Sequence, residues 1–219
     1  MSAAGGAEVV LFDLDGVLAD SRHAITSCMN AALVATGHPP RPEAELARYI
    51  GPSLSHGFAE LMGADPDDAA VAACVRTYRE RYAEVFVQET TTYPGVPDAV
   101  AAIGERHRLG VATSKPGAFA EPLLDALGLR GYFEVVAAPG LTVHVESKTA
   151  TVGAALDALG GPTRGAMVGD RDVDMVAARA HGLRGVGALW GFGTEVELRG
   201  AGADVLVRSA AELPAVLAA

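Results

Sequence analysis

A chain of 219 residues, half of them apolar, is long enough for one sizeable domain or for a core with a smaller insertion. Its formal net charge of −10 leaves no basic stripe to follow a phosphate backbone, so nucleic acid and anionic membrane surfaces are not expected partners. No apolar run reaches the length of a membrane span, the opening MSAAGGAEV has no signal-peptide pattern, and Cys28 and Cys74 lie far apart with no metal-ligand spacing; a cytoplasmic protein with reduced thiols is expected.

The first predicted element is Val9–Phe12. A continuous apolar run of this kind reads as a strand buried on both faces, the habit of parallel sheets. It ends abruptly in Asp13, Asp15 and Gly16. Ligands of open α/β sheets sit beyond the carboxyl ends of the strands, so both carboxylates stand where chemistry would be. Two acids so close repel unless something positive lies between them, and a hard divalent cation such as Mg²⁺ answers that need. Taken alone, the stretch also reads as a strand ending in a polar turn.

From Leu18 to Gln88 the pattern is helical and strand-free. Ser21 is placed to cap a helix running toward Thr36, with Ile25, Met29, Ala32 and Leu33 on one face. Glu43–Ile50 is a short helix stopped by Gly51-Pro52, and Ser53 is placed to cap a third with Leu54, Phe58, Leu61 and Met62 inward. Asp65-Pro66 reads as the start of a long helix reaching Phe86. This block is expected to be a separate domain, residues 18–89, inserted into a core of residues 1–17 and 90–219.

Beyond the Tyr93–Pro97 turn, helices and strands alternate. Helices are predicted at Asp98–His107, Phe119–Leu127, Lys148–Leu159, Val173–His181, Glu195–Arg199 and Ala210–Leu217. Strands are predicted at Leu109–Ala112, Phe133–Ala137, Ala166–Val168, Gly185–Leu189 and Val205–Val207. The alternation predicts an α/β fold with a doubly wound, parallel, Rossmann-like sheet.

Three later segments end where Asp13 and Asp15 do. Thr113 closes VATSKP, and a hydroxyl there can hold a phosphoryl oxygen; alone it is an ordinary Ser/Thr turn. Lys148 stands at a helix N-terminus, a poor place for a cation on dipole grounds, which makes an anionic partner the more attractive explanation; alone it also reads as a solvated surface lysine. Lys115 and Lys148 are the chain's two lysines. In VGDRDVD, Asp170 directly follows a strand and Asp174 lies one helical turn beyond. Asp172 is read as complementing the helix dipole.

FDLDGVLADS, TSKP, Lys148 and GDRDVD, in this order and separation, resemble the four motifs of the haloacid dehalogenase superfamily of phosphohydrolases, and the helical block resembles its α-helical cap. YPGVPDAV and GALWGFGTEVELRGAGAD are most similar to the phosphoglycolate phosphatase and 5′-nucleotidase-like branch. The resemblance implies that Asp13 is the nucleophile forming an aspartyl-phosphate and Asp15 the general acid and base. It implies Mg²⁺ held by Asp13, the backbone carbonyl of Asp15 and Asp170, with Asp174 ordering the ion's waters. Thr113, Ser114 and Lys148 would bind the phosphoryl group. Lys115 and the cap residues Arg48, Gly51 and Ser53 are candidate substrate contacts, with Arg22 or His23 at the cap hinge. Trp190 is expected to pack. The substrate would be a small-molecule phosphate ester and the protein a monomer or homodimer. A phosphomutase using the same aspartyl-phosphate, or a regulatory module that binds phosphate without turnover, are the competing readings; the acid at Asp15 speaks against the second, and the lack of any lysine between Leu18 and Gln88 against a phosphonatase.

Overall fold

The computed structural model describes residues 8–51, 53–141, 147–162 and 164–218. The opening segment up to residue 7 and Pro52, both used above, lie outside the described residues. In chain order the elements are β1 (Val9–Phe12), β2 (Ala19–Asp20), α1 (Arg22–Ala35), α2 (Glu43–Leu46), α3 (Leu54–Met62), α4 (Ala69–Val85), β3 (Thr91–Thr92), α5 (Val96–Gly104), β4 (Arg108–Ala112), α6 (Gly117–Ala126), β5 (Val135–Ala137), α7 (Lys148–Ala158), β6 (Gly165–Gly169), α8 (Asp172–Ala180), β7 (Arg184–Ala188), α9 (Glu195–Gly200), β8 (Val205–Val207) and α10 (Leu213–Leu217). No helix of the described residues is long and apolar enough to cross a membrane.

The chain divides into two compact units, Met1–Asp20 with Thr91–Ala219, and Ser21–Thr90. The boundaries fall a few residues beyond those read from the sequence. The reason is a short antiparallel ribbon that the sequence did not announce: β2 pairs with β3, Ala19 opposite Thr92 and Asp20 opposite Thr91. Two-residue strands carry too little periodicity to register as a pattern.

The first unit is built on a six-stranded parallel sheet of order β5-β4-β1-β6-β7-β8. Strand β1 is central, paired with β4 on one side and β6 on the other, with Phe12 opposite both Val111 and Val168. All four β1 side chains are fully buried, each contributing about 1.5–3 kcal/mol of transfer free energy. Val9, Leu11 and Met167 pack under α7 and α8 through Val152, Ala155, Leu156, Ala177 and Ala178. Phe12 meets Phe133 edge-on at 6.0 Å. The chain runs from β1 out to β4 and β5, then returns to β6 beyond β1. That reversal opens a crevice at the carboxyl end of β1, where such sheets bind ligands.

The second unit packs α1 against α4 and α3 against α4. Phe58, Tyr78, Tyr82 and Phe86 form a ladder of ring contacts at 5.5–6.2 Å. Cys28 and Cys74 are buried free thiols. Several local readings are corrected. The long helix begins at Ala69 behind Asp68, not at Asp65-Pro66. Asp65 closes a turn instead, its carboxylate accepting from the Asp67 amide at 3.0 Å and its carbonyl from Asp68 at 3.0 Å. Ser21 and Ser53 precede α1 and α3 without giving a side-chain cap. Glu43–Ile50 is α2 followed by a 3₁₀ turn at Ala47–Tyr49, and α5 starts at Val96, with Pro97 in its first turn.

Close packing of β1 on β6 depends on Gly165. A methyl group there would meet the Val9 carbonyl at 2.8 Å and its Cγ1 at 2.7 Å, and backbone cannot yield cheaply. Gly165→Ala is expected to lower the unfolding free energy by about 1–3 kcal/mol, read from the urea midpoint; an unchanged midpoint would mean the strand pair relaxes there.

Candidate active site

Strand register brings the chemistry-bearing residues to one edge. Asp13 follows β1 and its amide donates to Val168 O of β6 at 2.9 Å. Thr113 follows β4, its amide donating to Ala137 O of β5 at 3.0 Å. Asp170 follows β6. Between Asp13 and β2 the backbone turns through Gly16, whose φ of +91° disfavours any side chain, and a Cβ at that position would lie 2.2 Å from Asp170 Oδ2. The glycine is required both by its conformation and by the close passage of the turn over Asp170.

Lys148 opens α7 and is buried to 6% exposure. Its ammonium donates to Ala112 O at 3.1 Å and lies 2.8 Å from Asp13 Oδ1 and 3.0 Å from Asp174 Oδ1. Asp174 Oδ1 is off the line of a hydrogen bond, so that last contact is chiefly Coulombic. The unfavourable position against the helix dipole is thereby outweighed by two carboxylates. Burial alone would push the ammonium down, but Asp13 and Asp174 hold it above the ordinary lysine value.

Asp13, Asp170 and Asp174 are buried and each offers a carboxylate oxygen within 4.8 Å of the others. Burial, with the neighbouring Asp174 charge, pushes the Asp13 carboxyl up to about 6 despite Lys148. Burial, then the Asp174 and Asp13 charges, raises Asp170 well above the usual carboxylate range. Asp174 Oδ2 accepts from the Asp170 and Arg171 amides, both at 3.1 Å, which pins the turn into α8. Asp170 Oδ1 and Asp174 Oδ1 are buried without a hydrogen-bond partner. Three carboxylates around one ammonium leave two charges uncompensated, and the oxygen donor set suits a hard divalent cation.

Asp15 lies outside this cluster and pairs with Lys115, whose Nζ reaches its two oxygens at 2.8 and 3.1 Å. The sequence reading offered Lys115 as a substrate contact; the structure engages it with Asp15, and both lysines of the chain are thus bound to acids of the first strand's end. Thr113 is buried, and its hydroxyl accepts from the Lys115 amide at 3.1 Å, while Ser114 is half-buried beside it. Asp172 is exposed in the first turn of α8, as its helix-dipole reading requires.

Trp190 does more than pack: its indole N–H donates to Val17 O at 3.1 Å, and the next residue but one, Phe192, donates its amide to Asp170 Oδ2 at 2.7 Å. Backbone donors are invisible in a sequence; the only signal was the glycine-flanked WGFG after a strand. In the helical unit, Arg48 pairs with Glu60 at 2.9 Å and donates to the Tyr49 hydroxyl. His23 lies 3.8 Å from Glu43, Arg22 opens α1, Gly51 is exposed and Ser53 is half-buried.

The profile of the haloacid dehalogenase-like hydrolases matches residues 10–188. A 5′-nucleotidase of Pseudomonas aeruginosa is 34% identical over 192 residues, covering 87% of this chain and 86% of its own. A plasmid-encoded phosphoglycolate phosphatase of Cupriavidus necator is 33% identical over 213 residues, covering 95% and 92%. The crystal structure of a predicted phosphatase from Clostridium acetobutylicum superposes with a TM-score of 0.90 at 28% identity, covering 97% of this chain and 99% of that one. With its parallel sheet and its acidic edge, the chain belongs to the haloacid dehalogenase-like hydrolases, among their phosphohydrolases.

Proposed function

We propose that this chain hydrolyses a small-molecule phosphomonoester with Mg²⁺, through an aspartyl-phosphate on Asp13. The observation that carries the reading is the pairing of Lys148 with Asp13 Oδ1 inside a buried acidic cluster that calls for a divalent ion. The names of the relatives, a phosphoglycolate phosphatase and a 5′-nucleotidase, support a substrate of this class.

Asp13 attacks phosphorus and the bond to the alkoxide breaks. Asp15 gives its proton to that leaving oxygen, then takes one from the water that cleaves the acyl phosphate, releasing phosphate and restoring Asp13. Lys148 lowers the repulsion between a carboxylate nucleophile and a phosphate anion. Thr113, through its hydroxyl, and Ser114 would hold phosphoryl oxygens; Lys115 holds Asp15 as a carboxylate, the form that takes a proton from water, and must let it go before Asp15 can carry the proton it gives. Mg²⁺, held by Asp13, the Asp15 carbonyl and Asp170 with Asp174 outside them, would neutralise the charge on the transferring group.

Phosphate release from phosphoglycolate, nucleoside monophosphates and sugar phosphates, with Mg²⁺ and with EDTA, tests the reading. Release dependent on Mg²⁺ is expected, Asp13→Asn is expected to fall to background, and Asp15→Asn to lose about 10²–10⁴-fold. Turnover by Asp13→Asn near the wild-type rate would remove Asp13 as nucleophile. No phosphate release and no phosphate on the protein would overturn the reading, whereas a hydroxylamine-labile phosphate on the protein without release would favour a mutase or a regulatory acceptor.

The raised Asp13 carboxyl has a consequence for pH. In the metal-free fold Asp13 keeps its proton to about pH 6, whereas in the unfolded chain it ionises near 3.8. Its contribution to stability is therefore present at low pH and lost as pH rises through about 6. Mg²⁺ needs the ionised acid, so the gain in Tm on adding Mg²⁺ is expected to be small at pH 5 and to grow toward pH 7.5, with proton release measured by calorimetry in buffers of different ionisation enthalpy. A Tm gain that does not change with pH would contradict the assignment.

A further inference from the structure

The segment that follows β7 closes on Asp170 from three sides. The Phe192 amide takes Oδ2 at 2.7 Å, and Oδ1 is left buried with no hydrogen-bond partner. Gly191 is wedged between two walls: a Cβ there would lie 2.4 Å from Asp170 Cβ and 2.5 Å from Gly16 O. At Gly193 a Cβ would lie 1.9 Å from Asp170 O. Both ends of this passage are tied. Trp190 donates to Val17 O at 3.1 Å, on the turn that leaves β1. Glu197 of α9 accepts from Arg171 Nε at 2.8 Å and from the Asp172 amide at 3.1 Å, gripping the residues just after Asp170.

We infer that Trp190–Glu197 is a positioning brace for Asp170, setting one carboxylate oxygen against the Phe192 amide so that the other is presented to a divalent cation. The brace acts through Asp170 and needs no contact with substrate. It explains why two glycines flank Phe192: the backbone must approach a carboxylate more closely than any Cβ allows. It also links that carboxylate to the turn carrying Asp13 and Asp15, so that donor groups from two strands are held by one loop. The inference rests on the Mg²⁺ reading above. Groups that hold a metal-binding side chain in place typically change metal affinity by roughly 10–100-fold when altered.

The test is Mg²⁺ binding by the metal-free full chain, measured by titration calorimetry and by the Tm shift, apart from any turnover. Gly191→Ala is expected to raise the Kd for Mg²⁺ by roughly 10–100-fold. Trp190→Phe, which keeps an aromatic side chain but removes the pyrrole half of the indole with its N–H to Val17 O, is expected to raise it several-fold, and serves if Gly191→Ala fails to fold. Val34→Ala, at a side chain 56% exposed on α1 and outside the brace, is the control and should leave Kd unchanged. A lower Tm in EDTA with unaltered Kd in Gly191→Ala, or in Trp190→Phe if only that variant folds, would overturn the brace and leave the segment a packing element. Failure of the wild-type chain to bind Mg²⁺ would instead overturn the functional reading on which the brace rests.

Discussion

Everything at the sheet edge depends on one buried ammonium. Lys148 sits between Asp13 and Asp174 at ion-pair distance and is itself almost wholly removed from solvent. Taking such charges out of water costs several kcal/mol per ion after relaxation, and attraction offsets this only where further hydrogen bonds complete the set. The Ala112 carbonyl supplies one such bond to the lysine, and the Leu14 amide one to Asp13 at 2.7 Å. The remaining imbalance falls on Asp170: desolvation and the Asp174 and Asp13 charges hold that carboxyl high, opposed by the Phe192 amide and the Lys148 charge. A site so balanced is strained toward protonation on its own, a strain that the proposed divalent cation would relieve.

The fold makes that balance affordable by placing its charged groups at the ends of rigid elements. β1 is flanked by β4 and β6 in register, so Asp13, Thr113 and Asp170 emerge side by side without any loop having to search for them. Asp174 reaches back one turn of α8 to pin the amides of Asp170 and Arg171. Lys148 arrives from the first residue of α7, across the sheet edge. Five groups are thus positioned by three strands and two helix starts, and the glycines at 16, 191 and 193 let loops pass between them.

Much of this was legible. The buried strand announced itself by an unbroken apolar run, and the spacing of Asp170 and Asp174 placed both on one side of a helix start. Lys148 stood out because its position opposed the helix dipole, which predicts a local anion. Other features left no trace in side-chain pattern. The β2–β3 ribbon is too short to show periodicity, and the Phe192 donor is backbone. Lys115 was offered as a candidate substrate contact, and nothing in the sequence says that Asp15, one hundred residues away, lies 2.8 Å from its ammonium. Asp65-Pro66 has the letters of a helix start, but Asp65 used its carboxylate to close a turn and left the capping place to Asp68.

The choice of lysine at position 148 follows from the same geometry. The chain carries seventeen basic residues, and only the two at the acidic edge are lysines. A guanidinium is planar, spreads its charge and fits a carboxylate two bonds at a time. At Lys148 the acceptors are a backbone carbonyl and single oxygens of two separate carboxylates, distributed around a point rather than along an edge. A compact ammonium on a thin aliphatic stem can sit at that point, bury its stem beside the sheet and still leave the carboxylate oxygens on the far side open to a cation. An arginine of equal charge would need a wider space and would draw the two acids toward its own plane. Charge alone therefore does not account for Lys148; the shape of the charge carrier does.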